Sequence, residues 1–334
     1  MLNEAREEIA ALLGARTSHT FFTPSPAVAA ERIIVGVSAA RRKRIHGVIT
    51  AAEPRRIADA ARLASPEGVV VSAIDDTGRA LVADFAQAVA GPEIGFAAVS
   101  TVNTETGTLH PVDDLYATAL SLKVPLIVDA SASIGRLRPP RNWDALLATP
   151  SAWGGPGGMG VLAMRPELRW VPAWADGAPW APGSTSVPAA VAAAAALRKR
   201  LGTQEASTAR VATITATLRE AMRAIPHSVI LGGDADTAPH TLAPHIVAAQ
   251  FVYADAEAIA RELDARGIAV HAGCGCGGLG AGGACPVLRA MGAMTHGVIR
   301  LGIHDGISAD DAARIARELT SVVAEVRTKT GAPV

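Results

Sequence analysis

The chain has 334 residues, with 31 basic side chains against 31 acidic ones and a formal net charge of zero at pH 7. That length suffices for one large core with a smaller one beside it, and the balanced charge gives no argument for a nucleic-acid or membrane-surface partner. The longest apolar run, near Val187 to Leu197, is too short to span a bilayer.

Residues 1–14 pattern as an amphipathic helix with acidic residues in its first turns, not as a signal peptide, so a cytoplasmic protein is expected. From residue 19 to about 163, β-rich runs at 45–50, 68–72, 95–100 and 124–129 alternate with helical patterns at 26–37, 54–64, 80–90 and 112–121. This rhythm predicts βαβ units and a mostly parallel sheet covered on both faces. Ligands of such sheets gather at the carboxyl ends of the strands, which brings Ser100, Thr104 and Asp129 toward an expected site. Residues 187–200 and 207–224 read as a long helical connector. Beyond it come strands at 228–231, 245–252, 267–271 and 297–302 and helices at 255–266 and 308–327, an α+β pattern. The expected division is a large α/β domain over 15–203 and a small α+β domain made of 1–14 and 204–334.

All three cysteines, Cys274, Cys276 and Cys285, fall within twelve positions, with six glycines between the first and the last. Reactivity more than packing decides where cysteine is kept, and so many glycines argue for a loop rather than a core. In a reducing compartment such a cluster is expected to be catalytic, sulfur-carrying or metal-binding. As three soft ligands, Cys274, Cys276 and Cys285 suit an iron–sulfur cluster or zinc, with the fourth position open or filled by His271, a substrate or another chain. A reversible Cys274–Cys276 or Cys276–Cys285 disulfide is the competing reading.

Further motifs make the pattern specific. Asn103-Thr104-Glu105-Thr106-Gly107 resembles the Asn-Asn-Glu-Thr-Gly of cysteine desulfurases, the class V aminotransferase-like enzymes of fold type I that use pyridoxal phosphate (PLP). In the same order, Val128-Asp129-Ala130-Ser131-Ala132 resembles Val-Asp-Ala-Ala-Gln, and Gly155-Pro156-Gly157-Gly158-Met159-Gly160 resembles Gly-Pro-Lys-Gly-Ile-Gly. Gly183-Ser184-Thr185-Ser186-Val187-Pro188 stands where the family reads Gly-Thr-Glu-Asn-Val-Pro, and Gly273-Cys274-Gly275-Cys276 resembles the Gly-Ser-Ala-Cys of the catalytic loop. Val298-Ile299-Arg300-Leu301 matches the arginine-bearing strand beyond it, and the likeness runs from about residue 4 to 326. It implies the fold type I architecture, an α/β large domain with a smaller α+β carboxyl-terminal domain, and a homodimer.

The residues that hold and use PLP are mostly absent. The family's Schiff-base lysine aligns to Ala152 in Thr149-Pro150-Ser151-Ala152, and the four lysines, Lys43, Lys123, Lys199 and Lys329, lie elsewhere in the chain. Without that amine the cofactor is neither anchored nor activated. The family's ring-stacking histidine is replaced by Pro54 after Glu53, and the phosphate-cradling Gly-Ala-Thr-Glu turn by Ser25-Pro26-Ala27-Val28. Thr104 replaces the asparagine near the phenolic oxygen, and Ala132 replaces the glutamine. By the resemblance, this sequence is expected to begin inside the helix that follows the family's Asp-Asn-Ala-Ala-Thr-Thr segment, as a wrong start or a truncation would also make it.

What survives implies roles. By the resemblance, Cys276 is the thiolate that receives sulfur as a persulfide, and Arg300 holds a substrate carboxylate through its planar fork, with an inter-domain salt bridge as its competing role. Asp129 is the expected partner of the pyridine nitrogen, or else a cap for the turn after its strand. Thr104 and Ser184 are the other cofactor-side residues, Ser184 donated across the dimer. His271 and the pair His304 and Asp305 read as strand-end and turn residues, and Trp153 as a core or interface aromatic that fills volume beside Ala152. The expected function is a desulfurase-like homodimer that has lost conventional PLP catalysis and handles sulfur or an iron–sulfur cluster, with zinc as an alternative metal, exchanging with a sulfur donor or acceptor protein. Two other functions stay open: a PLP-dependent desulfurase acting on L-cysteine with non-covalent cofactor, and a non-catalytic partner of an active homologue.

Overall fold

The computed structural model describes residues 1–41, 43–172, 185–233, 241–274 and 285–333. Its contacts separate two units, residues 1–73, 80–102 and 110–204 in the first and residues 74–79, 103–109 and 205–334 in the second.

In the first unit the elements run α1 (Leu2–Leu13), β1 (Thr20–Thr23), α2 (Pro26–Ala39), β2 (His46–Thr50), α3 (Arg55–Ala64), β3 (Val69–Ser72), α4 (Val82–Val89), β4 (Ile94–Ser100), α5 (Val112–Ser121), β5 (Leu126–Asp129), β6 (Ala145–Ala148), β7 (Gly160–Met164) and α6 (Val187–Gly202). The strands form one seven-stranded sheet in the order β1-β7-β6-β5-β4-β2-β3. All pairs from β3 to β6 are parallel, while β7 runs antiparallel to both β6 and β1. The mostly parallel expectation holds, and its cause is visible in β4, every residue of which is buried. Alternate side chains of that strand enter different cores: Phe96 and Ala98 pack with Ile33, Ile34 and Ile57, whereas Ala97 and Val99 pack with Phe85, Leu115 and Leu197. A period of two on a sheet covered on both faces requires that division.

Two expectations change here. Residues 1–14, grouped by sequence with the small domain, lie in the first unit because Ala5, Ile9 and Leu13 join the core that also holds Leu197 of α6. The strand expected to start at residue 124 starts at Leu126, because Lys123 takes φ +56° and the Val124 amide bonds back to Ala119, closing α5.

In the second unit the elements are α7 (Gln204–Ala224), β8 (Ser228–Leu231), β9 (Ile246–Phe251), α8 (Ala256–Ala265), β10 (His271–Ala272), α9 (Pro286–Ala290), β11 (Val298–Gly302) and α10 (Ala309–Thr330). Four antiparallel strands in the order β10-β11-β9-β8 carry a core of Val247, Ala249, Ile299 and Leu301 against Leu218, Ile259, Leu319 and Val323. The strand expected over 267–271 shrinks to His271–Ala272: Gly267 is left-handed at φ +72° and the Ile268 amide returns to Leu263, so these residues close α8 instead.

Candidate functional site

The carboxyl edge of the first unit's sheet gathers the ends of β2, β4 and β5. Asp129 closes β5 with its side chain fully buried. One carboxylate oxygen accepts Nε of Arg56 at 2.6 Å, and the other accepts the Ser131 amide at 2.9 Å. The expected turn-capping role of Asp129 is therefore real, and Arg56 occupies the rest of the carboxylate. Arg56 lies in the first turn of α3, where a cation opposes the helix dipole; the buried carboxylate offsets that.

Beside them Glu53 is buried, with Thr50 Oγ1 donating to one oxygen and Ser100 Oγ to the other, each at 2.6 Å. Burial pushes its carboxyl up to about 7, against the two hydroxyl bonds and with some help from the charge of Asp129. Neither Arg56 nor Glu53 was assigned a role from sequence. The signal available was two successive arginines opening a helix that has no acidic residue in its first turn.

Ala152 sits in the short 3-10 segment Pro150–Trp153 and packs against the apolar core, while the Trp153 indole N–H donates to the Ala193 carbonyl at 3.0 Å. Trp153 is thus a core aromatic. At the start of α2, Ser25 Oγ accepts the Val28 amide at 3.1 Å and Pro26 has no amide hydrogen to offer. The serine has taken a donor that an anion at this terminus would use.

The second unit holds the other predicted residues. Arg300 on β11 donates through Nη1 to the Thr104 carbonyl at 2.6 Å and to Oε2 of Glu105 at 2.9 Å, with both ionic side chains largely buried. The salt bridge weighed for Arg300 therefore exists but lies inside one unit. Thr104 takes part through its backbone oxygen. His271 faces Arg300 across the strand pair; its pKa is lowered by burial and by the charge of Arg300, which favours the neutral imidazole.

Cys285 precedes α9, buried and with a free thiol, and its Sγ lies 2.6 Å from Sγ of Cys274, which is itself disulfide-bonded. Burial pushes the Cys285 thiol up, and Glu105 adds to the effect, so it keeps its proton at neutral pH. One ligand atom each from Glu105, Cys274 and Cys285 lies within 4.8 Å of the others, a set that sequence reasoning had not joined to Glu105. Cys276 and Ser184 lie outside the described residues.

The model of the class-V aminotransferase family matches residues 1–314. The chain belongs to that family, in its cysteine desulfurase branch. It is 31% identical over 331 residues to an IscS-like cysteine desulfurase of Mycobacterium tuberculosis, covering 92% of this chain and 82% of that one. Among solved structures it resembles a NifS-like protein at 19% identity and a TM-score of 0.86, covering 97% of this chain and 87% of that one. The apo structure of a cysteine desulfurase from Thermococcus onnurineus NA1 superposes with a TM-score of 0.85 at 18% identity, covering 97% and 84% of the two chains. These structural likenesses establish the fold type I architecture. Among the described residues no helix is long and apolar enough to cross a membrane.

Proposed function

We propose that this member of the cysteine desulfurase family has lost conventional PLP catalysis and handles sulfur, as a persulfide or an iron–sulfur cluster, through Cys274, Cys276 and Cys285. The observation that carries this reading is the convergence of Cys274, Cys285 and Glu105 within 4.8 Å. Two thiolates and a carboxylate are ligands for iron or zinc once the Cys274 disulfide is reduced. The same thiols suit persulfide exchange, in which a thiolate attacks the outer sulfur of a donor's persulfide, the S–S bond breaks and the donor leaves as a thiolate. Cys285, holding its proton, suits a supporting role, which leaves the attack to Cys274 or Cys276.

The residues of the first unit do not fit PLP. Ala152 offers no amine, Asp129 is already paired with Arg56 where the cofactor's pyridinium would need it, and Ser25 caps the helix start that would meet a phosphate. A guanidinium 2.6 Å from that oxygen competes with a pyridinium for the charge of Asp129. In this reading the protein is a cytoplasmic homodimer that meets a sulfur donor or acceptor protein.

The test is anaerobic purification followed by an absorption spectrum and assays for iron, zinc, labile sulfide and sulfane sulfur. Metal or sulfane sulfur lost in Cys274→Ser and Cys276→Ser is the expected result. The names of the curated relatives favour a second reading, a PLP-dependent cysteine desulfurase; bound PLP together with release of alanine from L-cysteine would establish it and overturn ours.

A further inference from the structure

The first unit carries a cationic cleft at the edge of its sheet opposite Asp129. Arg41 and Arg44 immediately precede β2, Lys123 precedes β5, and Arg169 follows β7, so all stand at the amino ends of the parallel strands. With Lys43 they line a cleft of about 680 Å³ whose remaining walls are two alanines and a valine. Among the described residues, no carboxylate and no aromatic ring lines it.

Two of the guanidinium groups are held in place by the backbone. Arg41 Nη1 donates to the Lys123 carbonyl at 3.0 Å, and Arg44 Nη1 to the Ile94 carbonyl at 3.1 Å. Among the described residues no other hydrogen bond is made by either guanidinium, whose planar fork has the geometry that suits phosphate oxygens. Burial lowers the pKa of Arg41, the neighbouring charges of Arg44 and Arg169 add to this, and Asp144 opposes it. Cations following α2 are favoured by the negative end of that helix. The helix does not explain Lys123 or Arg169, which come from other elements. Lys123 moreover adopts φ +56° at the end of α5, where glycine would sit without strain.

We propose that this cleft is a binding site for a multiply charged phosphate compound, recognised through its phosphate chain rather than through a base. A chain of phosphates spreads several negative charges over a length that five convergent cations can meet, and it relieves the repulsion among them. Inorganic polyphosphate and the triphosphate of a nucleotide share this chemistry, and the site is independent of the sulfur chemistry of the second unit.

Isothermal titration of the full chain with inorganic tripolyphosphate, ATP and AMP decides the matter. Tripolyphosphate and ATP are expected to bind saturably with similar affinity, and AMP about tenfold or more weaker. The pair Lys43→Glu and Arg169→Glu should weaken tripolyphosphate about tenfold or more, whereas Lys199→Glu on α6 should leave it unchanged. The milder Lys43→Gln and Lys123→Gln substitutions serve if charge reversal unfolds the chain, as judged by circular dichroism. ATP far tighter than tripolyphosphate would mean that a base is read. Absence of saturable tripolyphosphate binding, equal binding by the cleft variants, an equal loss in Lys199→Glu, or binding of an oligonucleotide but not of tripolyphosphate would each overturn the proposal.

Discussion

Glu53 receives a hydroxyl on each of its carboxyl oxygens, yet burial still lifts its pKa to about 7 from an ordinary 4.5. The folded value lies above the unfolded one, so between pH 4.5 and 7 the folded chain holds the extra proton. The stability this group contributes is complete below the lower value and is lost as pH rises through the upper one, a change of roughly 3 kcal/mol. Glu53→Gln mimics the protonated state. Urea unfolding across this range should show wild type losing stability while the variant stays flatter and becomes the more stable of the two above pH 7. Superimposable pH profiles would mean that Glu53 titrates as it does in water. Asp129 was legible from its place at the end of an apolar strand, but Arg56 was not. An arginine opening a helix reads as a solvated surface charge until β5 brings a carboxylate to it.

The 3-10 segment Pro150–Trp153 is held in place by packing. Ala152 joins the apolar core, and Trp153 fills the space against Gly135 and α6, bonding to the Ala193 carbonyl. Trp153→Ala should lower the stability read by urea unfolding by about 3–5 kcal/mol through the cavity it leaves. Trp153→Phe keeps most of the volume and leaves the Ala193 carbonyl its helical bond within α6, so losing the indole N–H bond should cost only about 0.5–1.5 kcal/mol. Equal losses would assign the contribution to the hydrogen bond rather than to packing. The start of α10 was legible, since Ser308 and Asp311 form a capping box there, whereas its end, expected at 327, comes at Thr330 before Gly331 at φ +69°. Helix ends were also misread where Lys123 and the residues after α8 close helices in turns that resemble the start of a strand.

For the molecule as a whole, 31 positive and 31 negative side chains cancel near neutrality. Electrostatic repulsion between copies is then weakest near pH 7. Precipitation by polyethylene glycol should therefore need least polymer near that pH and more on either side. A monotonic trend would mean that an exposed apolar surface, not charge, governs association. The two units also divide the chemistry. The first surrounds a buried carboxylate pair with apolar core, and the second gathers Glu105, Arg300, Cys274 and Cys285.

The sequence by itself determined the fold class, the rhythm of strands and helices, and the family. Each of these is carried by local periodicity or by motifs a few residues long, which survive in one dimension. Tertiary structure decided which charges are spent on one another. Arg56 reaches Asp129 across 73 positions and Arg300 reaches Glu105 across 195. The short 3-10 segment, the strands at 145–148 and 160–164, and the place of α1 in the first unit likewise depend on packing between distant segments. Electrostatic pairing acts through space, and no local pattern records which carboxylate a distant arginine will meet.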